Sequence, residues 1–317
     1  MKKRPYCTGV IFILFTAQVL AAEGYYVDPD STAAVWVKNN TADSRAATIK
    51  ANIADVPAAR WFSGTSQADN ALTKDVSAYV TAASNAGKIP LLVAYNIPHR
   101  DCSGGASAGG AGDAAAYQQW MDNFVSGLST HPAVVVLEPD ALADIRCLTA
   151  DQQTERLNLL SYAVSRFQSN AAGTEVYIDA GHAHWIAAAT MAKSLHDANV
   201  KNARGIALNV SSDYPTQQSI DYGNSVIAAL SSDYGYRKSI IIDTSRNGNG
   251  INVGQWCNPP GRKIGAATGV LSGDILVAWL KMPGNSDGDS SPAADCHGGP
   301  AAGVFSPDLA MKLIKGE

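Results

Sequence analysis

Short runs of almost wholly apolar residues recur along the chain, and polar residues follow each of them. Such runs are typical of strands that are buried on both faces of a sheet. They lie at 58–64, 88–96, 133–140, 175–182, 205–210, 239–248 and 275–284. Stretches with helical periodicity alternate with them, at 116–128, 154–169, 184–198 and 217–232. This order predicts an α/β fold with parallel strands, and about seven units without a long polar break favour a barrel over an open sheet.

The carboxyl ends of the predicted strands carry most of the polar residues in these segments. In a β/α barrel these ends meet on one face, where active sites lie. Asp140 is an example, in the sequence VVVLEPDALAD at 134–144, although it could instead cap a helix that begins at Ala141. The number of polar strand ends favours a cleft; they are Tyr95, Asn96, Glu138, Asp140, Asp179, His182, Asn209, Asp243, Arg246 and Lys281.

Residues 1–22 have the features of a secretory signal peptide. Lys2, Lys3 and Arg4 precede an apolar stretch, and small residues including Ala22 lie where cleavage is expected. A membrane anchor is the alternative, but the apolar stretch is short for a span. We therefore expect a secreted protein, extracellular or periplasmic, in which 23–317 form one domain with no further membrane segment.

The composition is that of an ordinary globular protein. Of the 317 residues, 46% are hydrophobic and 16% are charged, with a formal net charge of -4. This charge and the lack of a basic stripe argue against nucleic acid binding. Cys7 lies in the signal peptide, which leaves an even number of cysteines and suggests two disulfides with three possible pairings. Zinc is disfavoured because CxxC spacing is absent; the remaining cysteines are Cys102, Cys147, Cys257 and Cys296.

Several chemistries lack their usual motifs. The sequence has no G-x-S-x-G, no H-E-x-x-H and no G-x-G-x-x-G after a strand, and SDGDSS at 286–291 is only a faint calcium-loop pattern. What remains is carboxylates at strand ends, together with Trp61, Trp185 and Trp256 near such ends. A tryptophan can simply belong to the core, but exposed indoles also stack on sugar rings. Glycoside hydrolysis, which needs a protonated carboxyl group, fits this combination.

The motifs themselves are familiar as a set. They are AYNIPHRDCSGGAS, LEPDALAD, YIDAGHAHW, DTSRNGNG, QWCNPPGRKIG and WLKMPGNSDG, in this order. Over the whole mature chain the sequence resembles the family 6 glycoside hydrolases, and most of all the bacterial endoglucanases. The resemblance implies a distorted seven-stranded parallel barrel with an open cleft, hydrolysis of β-1,4-glucan with inversion, and no cofactor or metal.

The resemblance also implies roles for individual residues. Asp140 matches the general acid, and Asp101 matches the partner that raises the pKa of the acid and helps to handle the proton. Tyr95 matches a tyrosine that distorts the reacting ring, and Ser107 a serine that holds the attacking water. Asp287 matches the proposed base, with a water chain through Ser107 and Asp101 as the alternative. Inversion leaves room for water between carboxyl groups about 6.5–9.5 Å apart.

Substrate contacts and disulfides follow from the same resemblance. The implied pairing is Cys102–Cys147 and Cys257–Cys296, with the first bridge clamping the Asp101 loop. The Gly-rich stretch after Cys102 resembles a loop that closes over substrate. The predicted sugar contacts are Trp61, Trp185, Trp256, His182, Lys281, Asn285 and Asn209.

Two positions depart from the family pattern. Asn285 stands where a Glu is usual, which removes a charged sugar contact, and Asp213 stands where an Asn is frequent. Both bear on the strength of subsites and not on the reaction.

A short late loop favours internal cutting. Only 14 residues separate Lys281 from Cys296, whereas exo-acting relatives roof the cleft with long loops. The sequence has no carbohydrate-binding module, so soluble or amorphous glucan is the expected substrate, and we expect a monomer. The alternatives are a cellobiohydrolase, a non-catalytic glucan-binding relative, an enzyme acting on mixed-linkage glucan or xyloglucan, and a structural envelope protein.

Overall fold

The computed structural model describes residues 24–64, 71–250, 255–291 and 295–317. The predicted signal peptide and its cleavage site near Ala22 lie outside these ranges, so they stay a prediction. Within the described ranges, no helix combines the length and apolar character that crossing a bilayer requires.

Parallel strands form the wall of an incompletely closed barrel. The sheet order is β1-β2-β3-β4-β5-β6-β8-β7, and all neighbours are parallel except β7 and β8. The two ends of the wall approach each other where Ala59 N–H donates to the Trp279 carbonyl at 2.8 Å. The strands are β1 Arg60–Ser63, β2 Leu91–Tyr95, β3 Ala133–Leu137, β4 Thr174–Asp179, β5 Gly205–Leu208, β6 Ser239–Asp243, β7 Gly269–Ser272 and β8 Ile275–Ala278.

Helices cover the outside of this wall. Two of their starts show how the sequence fixes them: Asp113 caps α4 by accepting from Ala116 N–H at 2.8 Å, and Thr149 forms a capping box with Gln152 at the start of α5. The helices are α1 Thr32–Asn39, α2 Ala46–Ile49, α3 Ala71–Asn85, α4 Ala114–Leu128, α5 Ala150–Asn170, α6 Ala188–Asp197, α7 Thr216–Tyr234 and α8 Pro307–Lys315.

Alternation along the strands divides the core into two layers. In β2, Leu91, Val93 and Tyr95 belong to the cluster inside the barrel, while Leu92 and Ala94 pack against the surrounding helices. Successive side chains of a strand point to opposite faces, and here both faces are covered. Such a strand reads as continuously apolar, and the last inward residue of β2, Tyr95, lies at the mouth of the barrel.

The predicted distorted parallel barrel is confirmed, with one strand more than expected. Each of the seven predicted runs contains a parallel strand, and β7 is an additional antiparallel edge strand paired with β8. The Gly-Val-Leu-Ser sequence of β7 is too short to stand out, and Val270 is 72% exposed.

The helix-capping interpretation of Asp140 is wrong. Residues 139–144 form consecutive turns, followed by a short 3-10 helix at Ile145–Cys147. Because no α-helix begins directly after Asp140, its carboxyl group has no helix end to cap.

Candidate active site

A cleft of about 1060 Å³ lies at the carboxyl ends of the strands. It brings together most of the predicted site residues, although they come from distant parts of the chain. Those that line it are Trp61, Tyr95, Asp101, Ser107, Asp140, His182, Trp185, Trp256, Lys281, Asn285 and Asp287.

Asp140 has the surroundings of a carboxyl group that is kept protonated. Burial raises its pKa well above the usual value, and the negative charges of Asp179, Asp101 and Asp144 raise it further, in that order. Lys281 acts in the opposite direction. The backbone of Asp140 has a positive φ of 69°, and its N–H donates to Asp179 Oδ1 at 2.9 Å. A carboxylic acid that holds its proton can donate it to a leaving group.

Asp179 is one of the polar strand ends, and it belongs to the site although the family resemblance assigns it no role. Its carboxyl group is buried, and burial raises its pKa to about 7 against the lowering effect of hydrogen bonds from the N–H groups of Asp140 and Gly181. Asp179 Oδ2 has no hydrogen-bond partner among the described residues. Its place at the end of β4 was the available signal. The negative charge of Asp179 raises the pKa of Asp140 more than that of Asp101 does.

Asp101 is held by groups from both sides. Tyr95 donates its hydroxyl to Oδ1 at 2.8 Å, and Ser107 N–H donates to Oδ2 at 3.0 Å. Arg100 braces the same turn by donating to the carbonyls of Tyr95 and Ser107, both at 2.7 Å. A Cβ at Gly105 would lie 2.6 Å from the Asp101 carboxyl group, so this approach requires glycine. These contacts hold the side chain of Asp101 beside the backbone of Ser107.

Asp287 is paired with two cations. Its carboxylate accepts from Arg246 at 2.6 Å and contacts Lys281 Nζ, while Asn258 N–H donates to it at 3.0 Å. These cations outweigh the effect of burial and lower the pKa of Asp287 to about 2. A carboxylate with so low a pKa is a weak base. Asp287 lies in the faint calcium-loop pattern at 286–291, but its carboxylate is bound by Arg246 and Lys281.

The tryptophans line the cleft in two different ways. Trp185 and Trp256 are 40% and 37% exposed, so their rings are accessible from the cleft. Trp61 is partly buried; its Nε1 donates to the Leu280 carbonyl at 2.6 Å, and its ring lies edge-on to Tyr95 at 5.2 Å. The exposed rings offer flat apolar surfaces, and Trp61 is locked in orientation.

His182 stacks within this aromatic surface. Its ring lies 5.1 Å from that of Trp185 and 4.4 Å from that of Tyr214. Burial, together with the nearby His184, lowers its pKa to about 4. The imidazole is therefore neutral near pH 7, where it can either donate or accept a hydrogen bond.

Comparison with known proteins decides the family. The family model "Glycosyl hydrolases family 6" matches residues 18–317. The chain belongs to glycosyl hydrolase family 6.

Similar proteins include several bacterial endoglucanases. Endoglucanase 1 of Streptomyces halstedii is 46% identical over 92% of this chain and 89% of its own length. Endoglucanase A of Thermobispora bispora is 42% identical over 91% of this chain, which spans 61% of that longer protein. The endoglucanase of Mycobacterium tuberculosis, solved with methyl-cellobiosyl-4-deoxy-4-thio-β-D-cellobioside, has a TM-score of 0.84 and 36% identity, and the match covers 94% and 98% of the two chains.

Two disulfides hold loops of this family 6 site. The structure joins Cys102 to Cys147 and Cys257 to Cys296, with Cα separations of 5.8 and 4.7 Å, as the resemblance implies. The first bridge connects the residue after Asp101 to the segment after Asp140. Because all four sulfurs are consumed in these bonds, none is a thiolate for the zinc alternative.

Asn209 does not join the other predicted sugar contacts. It is fully buried, and its amide donates to the carbonyls of Tyr214 and Asp243 while its oxygen accepts from Tyr214 N–H. With its polar atoms used in this way, Asn209 supports the backbone behind the cleft. Its backbone lies in the left-handed region, with φ of 64°.

The two departures from the family pattern have different surroundings. Asn285 lines the cleft, and its Oδ1 accepts from Thr32 Oγ1 at 2.6 Å, which ties it to the start of α1. Asp213 is buried and forms an ion pair with Arg262. The charge at 213 is therefore compensated internally, whereas the change at 285 faces the substrate region.

Proposed function

We propose that this family 6 member is a secreted endo-β-1,4-glucanase that cleaves internal bonds of soluble or amorphous glucan with inversion. The observation that carries the proposal is the Asp140 carboxyl group, kept protonated at the mouth of a cleft with exposed indole rings. The likeness to endoglucanases supports the same activity, and the thio-oligosaccharide bound by the Mycobacterium tuberculosis enzyme supports a β-1,4-glucan ligand.

In the proposed reaction, Asp140 protonates the oxygen of the bond that breaks. The leaving sugar departs as a neutral alcohol, and positive charge develops on the ring that remains. Tyr95 lies beside Asp101 at the same position in the cleft, where its ring favours a distorted sugar over a relaxed one. After the reaction, solvent returns to the Asp140 carboxylate the proton that the attacking water has lost, so that the net reaction consumes one water molecule.

Asp101 and Ser107 are the groups we assign to the attacking water. Their geometry places a carboxylate and a backbone carbonyl in one rigid turn of the cleft wall. Water held there gives up a proton toward Asp101 as its oxygen attacks the anomeric carbon. We prefer this route to direct proton transfer to Asp287, because that carboxylate is neutralised by Arg246 and Lys281.

The aromatic residues are assigned to sugar binding. Trp61, Trp185 and Trp256 provide the apolar surfaces on which pyranose rings stack, and His182 and Lys281 provide hydrogen bonds. Asn285 contributes an uncharged amide, which weakens one donor-side subsite relative to a Glu. The Gly-rich loop after Cys102 lies beside the cleft, where Ser291 Oγ donates to the Gly104 carbonyl at 2.7 Å, and we propose that it closes over bound glucan.

We further propose that the protein is exported and that it acts as a monomer. Two disulfides support an oxidising destination outside the cytoplasm, in agreement with a signal peptide at 1–22. We propose that residues 23–317 form the mature catalytic domain.

Carboxymethylcellulose distinguishes internal from terminal cutting. With purified mature protein, we expect viscosity to fall rapidly while few new reducing ends appear, because each internal cut shortens the chains greatly. Rotational viscometry and a reducing-sugar assay on the same samples measure both quantities. Slow thinning with steady release of ends would identify the cellobiohydrolase alternative, and binding without any new ends would identify the non-catalytic one.

A further inference from the structure

Two strained loops carry the proposed proton-handling groups. Residues 96–101 follow β2 and end at Asp101, and residues 138–144 follow β3 and include Asp140. His99, Asp101, Glu138 and Asp140 all have positive φ values, between 50° and 69°. Such conformations are costly for residues with side chains and persist only when the surroundings enforce them.

Glu138 reaches from the acid loop to the other loop. It is 0% exposed, and its carboxylate accepts from the N–H of Asn96 at 2.9 Å and from the N–H of Ile97 at 2.9 Å. These two amides stand at the point where β2 ends and the Asp101 loop begins. The side chain that precedes the acid by two residues thereby determines where the neighbouring loop starts.

Arg156 makes the complementary connection from behind. It lies on α5, is 2% exposed, and donates to the carbonyls of Pro98 and His99, both at 2.8 Å. The same guanidinium donates to the Ala141 carbonyl of the acid loop at 3.1 Å. One planar group therefore contacts both loops, and neither Arg156 nor Glu138 is among the described residues that line the cleft.

We propose that Glu138 and Arg156 form a brace that fixes the separation of Asp101 and Asp140. Both are positioning residues, because they touch the backbone of the two loops and not the substrate. The disulfide joins the loops only further along, at Cys102 and Cys147. The inference rests on the proposed function, in which Asp140 is the acid.

Nearby carboxylates stabilise the buried guanidinium of Arg156. Burial lowers the pKa of Arg156, and the nearby carboxylates of Asp144 and Glu138 counteract this. Burial raises the pKa of Glu138 to about 7, against the backbone hydrogen bonds, Tyr117 and the charge of Arg100. A buried charge is strongly unfavourable once its partner is removed. The buried guanidinium of Arg156 therefore depends on the charges of Asp144 and Glu138.

Arg156→Lys tests the brace while it retains the positive charge. A lysine ammonium is a point donor on a flexible stem and does not reproduce the planar fork that spans three carbonyls. We expect kcat on cellopentaose to fall about 10²-fold, the scale of a small misplacement of catalytic groups, with KM little changed. On a dinitrophenyl β-cellotrioside, whose leaving group needs no proton, the loss should be less than about tenfold.

Arg166→Lys is the matched control. Arg166 lies on the same helix, but it is partly exposed and pairs with Asp122 at 2.7 Å. We expect this variant to keep the original rate on both substrates. Far-UV circular dichroism shows whether each variant is folded. If Arg156→Lys does not fold, Glu138→Asp provides the same comparison, since its carboxyl group is one methylene too short to reach the N–H groups of Asn96 and Ile97.

The outcomes separate the brace from the acid assignment. A folded brace variant that loses rate on cellopentaose selectively, as Asp140→Asn does, supports the proposal. No loss on cellopentaose would overturn the brace, and an equal loss on the two substrates would overturn its action on Asp140; either result leaves the acid assignment intact. The acid assignment fails by itself if Asp140→Asn shows no selectivity between the two substrates.

Discussion

Replacing Asp140 with Asn is expected to lower kcat on cellopentaose by about 10²- to 10⁴-fold. The amide has nearly the same shape but has no acidic proton to give to the leaving oxygen. The backbone N–H of residue 140 can still donate to Asp179, so the loop should keep its position. Initial rates measured with product chromatography give the change, and the loss should be much smaller on dinitrophenyl β-cellotrioside, whose leaving group departs as a stable anion.

Asp221→Asn is a suitable control for this experiment. Asp221 is exposed on α7, where its side chain accepts a hydrogen bond from Gln217 and its backbone carbonyl accepts one from Ser225. We expect its rates to equal those of the unmodified protein. If Asp140→Asn lost equal activity on both substrates, the role of residue 140 would be structural and the acid would have to be sought elsewhere.

Replacing Asp179 with Asn is expected to move the alkaline limb of the pH profile to lower pH. Asp140 acts as an acid, so activity falls as pH rises through its pKa. Asp179 is the strongest charge that raises this pKa, and its removal lets Asp140 lose its proton at lower pH. Above the limb, each unit lowers the protonated fraction about tenfold, and the rate falls with it.

Asp179→Asn can remove the negative charge and keep the hydrogen bonds that the side chain accepts. Asp179 uses only Oδ1 to accept from the N–H groups of Asp140 and Gly181, and Oδ2 has no partner among the described residues. An Asn can keep the first oxygen and place its NH₂ at the second position. The profile of kcat against pH on cellopentaose measures the shift.

Asp144→Asn provides a graded comparison for that profile. The charge of Asp144 acts on Asp140 more weakly than those of Asp179 and Asp101, so a smaller shift in the same direction is expected. An alkaline limb that stays in place in Asp179→Asn would show that this charge does not determine the pKa of the acid.

The barrel could be predicted because its strands are buried on both faces. Runs such as 133–137 and 240–242 are apolar at every position, and the structure contains them in the buried strands β3 and β6. The edge strand β7 gave no such signal, since Val270 and Leu271 are exposed on a strand with one neighbour. A strand that is buried on both faces appears in the sequence as a continuous apolar run, and an edge strand with exposed residues does not.

The position of the site could be predicted from the sequence more readily than the pKa values of its carboxyl groups. Polar residues at strand ends indicated where the cleft lies, and the structure places Tyr95, Asp140, His182 and Lys281 in its lining. Their effects on one another depend on distances across the chain: Asp179 acts on Asp140, and Arg246 neutralises Asp287. Asn209 shows the converse, because a polar strand end can be used entirely by the backbone. Such partnerships follow from the packing of separate loops.

The most direct test of the central claim is the anomeric configuration of the first product. Water that attacks while Asp140 protonates the leaving oxygen displaces it in one step and inverts the anomeric carbon. Proton NMR of cellopentaose, recorded within the first minutes after addition of enzyme, should show the α-anomer first and the β-anomer later through mutarotation. Initial appearance of the β-anomer would require a covalent intermediate and would contradict the account.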